Sequence, residues 1–91
     1  MAERVDRLAE ILERAEAVHG VVAQRTQGAD ADWALFYAWW LLTWSDFADV
    51  LGRTLSLAAL TVELTRLDEA YRAGPRTTPW PHAYAQELLR S

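Results

Sequence analysis

Cysteine is absent from this 91-residue chain, and so are lysine and asparagine. Without thiols there is no disulfide and no thiolate metal site, and nothing points to an oxidising compartment. Glycine occurs only four times and never in a phosphate-cradling fingerprint, which argues against nucleotide binding. No Ser or Thr stands in a nucleophile context. Long apolar runs are missing too: the longest uncharged stretch, Trp33 to Ser45, falls well short of the ~18 apolar residues of a membrane span. The N-terminal MAERVDRLAEILERAE is charged throughout and lacks an apolar core, so no signal peptide is expected. Positive charge is scarce and scattered. All nine cations are Arg, at 4, 7, 14, 25, 53, 66, 72, 76 and 90, against thirteen acids, for a net charge of -4. A chain with no basic cluster is a poor ligand for nucleic acid or an anionic membrane, and neither partner is expected. The preference for Arg over Lys, with abundant Ala and a single Ile, is read as GC-rich coding bias and not as phosphate recognition. A cytoplasmic protein with no cofactor is the expectation.

What is present is helical periodicity. The length suits one domain over residues 1–91. Such a domain buries only somewhat over ~60% of its unfolded surface, so its core is thin and self-association would help it. Val5, Leu8, Leu12, Ala15, His19 and Val22 step by three and four, with Ile11 and Val18 widening the stripe, which predicts a helix over about 2–25. Arg4, Arg7 and Arg14 interleave with Glu3, Glu10 and Glu13 as a solvated face. Gly20 weakens this helix locally, and residues 26–30 end it. Asp30 or Asp32 is the expected cap of a second helix, about 32–44. That helix reads WALFYAWWLLTW. At 100° per residue Trp33, Phe36, Tyr37, Trp40, Leu41 and Trp44 fall on one side, and Leu35, Ala38, Trp39 and Leu42 on the other. A helix apolar all round is expected to be buried all round. Ser45 and Asp46 should cap a short turn ending at Leu51-Gly52. Ser56 should cap a third long helix, about 56–73, with Leu57, Leu60, Leu64, Leu67 and Tyr71 inward and an Asp68–Arg72 pair outward. Gly74-Pro75 stops it, Gly74 through a left-handed turn. Pro81 suits the first turn of a last helix, about 81–90. The fold class is therefore all-α, a three- to four-helix bundle around an aromatic central helix.

The chain echoes itself. Trp33-x3-Tyr37-Ala38-x2-Leu41-Leu42 returns as Trp80-x3-Tyr84-Ala85-x2-Leu88-Leu89, with five of ten positions identical. Two copies are too few for a solenoid, and the simple reading is that both helices present a Trp/Tyr/Leu edge to one core. These segments, with Leu51-Gly52, Leu67-Asp68…Tyr71 and Trp80-Pro81, resemble a group of small bacterial helical proteins of unassigned function. The likeness spans about residues 33–91. In those relatives an acid completes a capping box three residues after the third-helix cap; here Ala59 stands there. The resemblance implies a folded helical domain and no particular chemistry.

Chemistry-bearing candidates are few. Glu16 and His19 have the Glu-x-x-His spacing of di-iron bundles, and Glu63 on another helix could add a carboxylate in a dimer. The simpler reading is a surface acid beside a core-edge His, and no metal is expected. Asp46 with Asp49, Asp30 and Asp32 could form an acid cluster, but helix capping explains each of them. His82 could act as a general base facing an aromatic pocket, although an exposed first-turn His is the commoner case. The leading feature is the aromatic set Trp33, Tyr37, Trp39, Trp40, Trp44, Trp80 and Tyr84. Aromatic side chains bury ~150–250 Å² each, and two amphipathic helices cannot cover every side of one bearing four tryptophans. Something else must cover the rest: a second copy or a helical partner, or else an apolar small molecule in a Trp/Tyr-lined cavity. Because Trp39 lies opposite Trp33 and Trp44, association through at least one face is the preferred reading. An enzyme is the less favoured alternative.

Overall fold

The computed structural model describes residues 2–26 and 33–90, with side chains described for 3–20 and 33–90. Among them are five helices and no strand: α1 Ala2–Thr26, α2 Trp33–Trp44, α3 Phe47–Leu51, α4 Leu57–Ala73 and α5 Trp80–Arg90. The radius of gyration, 12.7 Å, is close to the ~12 Å of a packed domain this size. The expected caps Asp30 and Asp32 lie outside the described residues, as does the Val22 side chain.

α1 buries the stripe its spacing calls for: Leu8, Ile11, Leu12 and Ala15, with Ala9 added. Arg7, Arg14, Glu3, Glu10 and Glu13 are exposed, as a solvated face should be. Arg4 departs from that face. Its guanidinium donates to Val50 O at 2.9 Å and to Leu51 O at 2.8 Å, satisfying the orphan carbonyls at the end of α3. The residue after them, Gly52, is left-handed with φ 84°, and its N–H closes on Ala48 O at 2.9 Å. A Cβ on Gly52 would lie 2.9 Å from Arg4 Nη2. By contrast, Gly20 sits inside α1 with nothing within 4 Å of where its Cβ would be. Alanine at the two glycines should therefore act in opposite directions. We expect Gly20→Ala to stabilise by ~0.5–1 kcal/mol through lower unfolded-state entropy, and Gly52→Ala to destabilise by ~1–2 kcal/mol. Thermal melts should separate the two variants by several degrees on either side of the parent; shifts of the same sign would contradict this account.

Caps and stops act locally, with Asp46 idle as a cap and the Gly74 stop differing from expectation. Ser56 accepts from Ala59 N at 3.0 Å, and so starts α4. At α3 the capping hydroxyl is that of Ser45, which accepts from Phe47 N at 3.2 Å and donates to Leu41 O at 2.6 Å. Asp46 occupies the N-cap position but makes no side-chain capping bond. Gly74 is extended, with φ -95° and ψ -176°, and not left-handed. Pro75 excludes the helical region for the residue before it, and the left-handed turn falls on Arg76, φ 54°.

The largest correction concerns α2. Within the chain it is covered along one stripe, Ala34, Tyr37, Ala38 and Leu41, at spacing i, i+3, i+4, i+7. Two alanines one turn apart let the backbone of α2 approach its neighbours α4 and α1 closely. The bulky indoles are left at the rim or outside: Trp33 and Trp40 are half-buried, while Trp39 and Trp44 are exposed. Burial on every side thus does not hold within one chain. The core is completed by Leu60, Leu64 and Leu67 of α4 and by Tyr84, Ala85 and Leu88 of α5, while Leu57, expected on the same stripe, is exposed. The echo is repeated in burial residue by residue, Tyr37/Tyr84, Ala38/Ala85 and Leu41/Leu88 covered and Leu42/Leu89 half-covered, because α2 and α5 both pack on α1 and α4.

Candidate functional site

The two Trp-x3-Tyr segments meet. A spacing of four places each Trp above its Tyr on one helix face, and the rings make edge-to-face contacts. Trp33 and Tyr37 lie 5.6 Å apart at 87°, and Trp80 and Tyr84 lie 5.0 Å apart at 68°. Tyr37 touches Trp80 at 6.2 Å, joining the N-terminal ends of α2 and α5. Tyr71 of α4 adds a further wall at 6.2 Å from Tyr84. Between these rings is a cleft of about 210 Å³, to which α1 contributes Glu16 and α4 contributes Asp68.

Both carboxylates are held in place by the rings they face. The Trp80 indole N–H donates to Glu16 Oε2 at 3.2 Å. The Tyr84 hydroxyl donates to Asp68 Oδ1 at 3.2 Å, while Arg72 takes Oδ2 from the solvent side. The Tyr71 hydroxyl donates to Thr78 O at 2.6 Å and ties the linker before α5 to α4. Asp68 was expected on the outer face with Arg72. Its pairing with Arg72 is present, but Leu64, Asp68 and Tyr71 stand at i, i+4, i+7, a spacing that turns Asp68 inward. That spacing was the available signal for Asp68, as it was for Tyr71, whose inward place follows from the same stripe.

The phenols sense this surrounding. Burial, then the nearby charge of Glu16, pushes the Tyr37 hydroxyl up to about 12. Tyr84 is raised as well, by burial first and then by the charge of Asp68 and its hydrogen bond. Both stay protonated through neutral pH, suited to donating hydrogen bonds and not to proton abstraction. The unfolded chain titrates its tyrosines near ~10, so above that pH the unfolded state has lost protons that the folded state keeps. Stability contributed by Tyr37 and Tyr84 is complete below pH ~10 and drains away as pH rises through the folded values. Tyrosinate absorbance at 295 nm should therefore lag behind that of the urea-unfolded chain, and alkaline unfolding should set in within this window. Superimposable titration curves for folded and unfolded protein would refute the assignment.

The other residues singled out by sequence lie elsewhere. His19 packs its ring against Phe36 and Tyr37, at 5.4 and 5.2 Å. Glu63 is engaged by Arg66, whose hydrogen bond holds its carboxyl below the usual range. Glu16, His19 and Glu63 are therefore not gathered on one site, and among the described residues no group of three His, Asp or Glu side chains is placed to hold a metal ion. His82 does not face the aromatic cleft: its Nε2 lies 3.3 Å from Asp6 Oδ1 on α1, and Nδ1 is buried with no partner among the described residues. Asp46 and Asp49 are exposed on α3, also away from the cleft. Trp40 is half-buried against the core and lines neither the cleft nor the outer face.

A second feature is the outer face of α2. Leu35 is 46% exposed, Trp39 44% and Trp44 66%. Trp39 and Trp44 are in contact, ring centroids 6.4 Å apart, and Phe36 joins Trp39 at 6.0 Å. Angular position had set Trp44 opposite Trp39. The indole is long enough to lean back along the helix and close that gap. None of the twelve residues of α2 carries a charge. No helix among the described residues is long and apolar enough to cross a membrane. No family model, curated protein or solved structure matches this chain.

Proposed function

We propose that the chain is a small non-enzymatic interaction module that pairs with a second copy of itself through the outer face of α2. The observation that carries this reading is the uncharged α2 helix with Leu35, Trp39 and Trp44 exposed along it. Scaled from the ~150–250 Å² of a whole aromatic side chain, these three side chains leave on the order of 350 Å² of apolar surface in water, within the ~300–600 Å² of the largest patch on a monomer, which is often functional. The face has no charge to match in a partner. That favours a self-complementary pairing of α2 with α2 about a two-fold axis over docking of a charged partner helix. Three side chains per copy fall short of the ~1,200 Å² of a standard interface, so the half-buried Phe36 and Leu42 must join them. The two acid/base candidates, His82 and Asp46, do not reach the aromatic cleft, which supports a binding role over a catalytic one.

The test is the mass of the native assembly. Sedimentation equilibrium over a hundredfold range of concentration should give a mass rising to twice the 10.3 kDa of the chain. A mass of one chain at every concentration would reject self-association, and a stoichiometric complex with a different protein would transfer the face to a hetero-partner.

A further inference from the structure

We propose that the cleft between α1, α2, α4 and α5 binds a small alkylammonium ion, caged by the faces of its Trp and Tyr rings and charge-paired with Glu16. The cleft is on a different side of α2 from Trp39 and Trp44, so this site stands apart from the pairing face.

Three observations select a cation. First, the rings are set at steep angles to one another, 87° for Trp33 on Tyr37, 68° for Trp80 on Tyr84 and 76° for Tyr71 on Tyr84. These tilted, contacting rings all line one cleft, and the electron-rich faces of Trp and Tyr attract an organic ammonium group. Second, among the described residues the charged side chains lining the cleft are acidic: Glu16 and Asp68. A neutral apolar guest would strip water from these carboxylates without compensation, and an anion would be repelled by them. Asp68 is already shared with Arg72 and Tyr84, which leaves Glu16 as the principal counter-charge. The positive poles at the N-termini of α2 and α5 weaken the field, but the negative pole of α4, ending at Ala73, offsets part of that. The Tyr37 hydroxyl is raised first by burial and then by the charge of Glu16, in keeping with Glu16 facing the cleft. Third, the volume of about 210 Å³ is below the ~300–1,000 Å³ of sites for drug-sized ligands. It suits a headgroup such as trimethylammonium, whether on a free small molecule or at the end of a methylated lysine.

The experiment titrates the 91-residue chain with choline chloride and, separately, with 3,3-dimethylbutan-1-ol, the uncharged isostere, at matched ionic strength. Trp emission and calorimetry report binding. Choline should saturate and bind at least tenfold more tightly than the alcohol. Glu16→Gln keeps an oxygen acceptor for the Trp80 N–H but removes the charge, and should erase most of that preference while leaving the affinity for the alcohol unchanged. Trp33→Leu should weaken choline several-fold, and Trp39→Ala should leave it unaltered whatever it does to self-association. A trimethyllysine peptide separates the sources: binding tighter than choline assigns the site to a modified protein chain, and equal or weaker binding to a free ammonium compound. The proposal is overturned if the alcohol binds within twofold of choline, if neither saturates, or if Glu16→Gln leaves the preference intact.

Discussion

Phe47→Ala is expected to cost ~3–5 kcal/mol of stability, the loss typical of truncating a fully buried aromatic side chain. A domain of this length has roughly 5–14 kcal/mol in total, so the variant should lie close to its folding threshold. Phe47 is 0% exposed and heads the largest fully buried side chains of the chain. It opens a helix of only five residues, which has no stability of its own. What holds α3 is the Phe47 ring in the core, the Ser45 hydroxyl on the Phe47 N–H and the Arg4 guanidinium on the last carbonyls. Removing the ring should therefore release α3 from both α1 and α2. Urea unfolding measures the effect, with Val62→Ala as the control, since Val62 is exposed and its truncation should change stability by no more than ~0.5 kcal/mol. A loss below ~1 kcal/mol for Phe47→Ala would mean that α3 is peripheral to the fold.

Trp39→Glu should weaken self-association by at least a hundredfold, about 2.7 kcal/mol. Tryptophan is the commonest residue type to exceed ~2 kcal/mol on truncation in an interface, and a two-fold axis applies each change twice. The introduced carboxylates would also face one another across the axis in an apolar setting, where an unpaired charge is costly. Trp39→Ala should act in the same direction with a smaller effect. Helix content by circular dichroism should stay at the parent level in both, because Trp39 packs on Phe36 and Trp44 at the surface and not in the core. Sedimentation of parent and variants distinguishes the outcomes: identical mass at all concentrations would remove α2 as the pairing face.

Much of the fold could be read from neighbours one turn apart. The stripes of α1 and α4, the Ser56 cap and the left-handed Gly52 all depend on contacts within a few residues, and the helix spans follow from them. The same locality misled at Gly74, where the glycine suggested a left-handed stop and the following proline imposed an extended one. For the aromatic cleft the sequence held half the answer. The repeated Trp-x3-Tyr pairs name four of its five rings and the α4 stripe places Tyr71 inward, but the Asp68–Arg72 pairing points Asp68 outward, whereas its i+4 place after Leu64 turns it to the cleft.

By itself, then, the order of residues determined four helical segments with a short turn after the second, most of their ends, and the buried stripes of α1, α4 and α5, since periodicity and capping are short-range physics; that the turn is itself a helix, α3, came from the structure. Only the tertiary structure decided which side of α2 is covered, because a helix apolar in every direction has no preferred face until its small Ala34 and Ala38 meet neighbours. It also decided that Glu16 and Trp80, 64 positions apart, meet at one side of the aromatic cleft, while His82 turns instead to Asp6. Such pairings arise from helices packing side by side, and no window of neighbouring residues contains them.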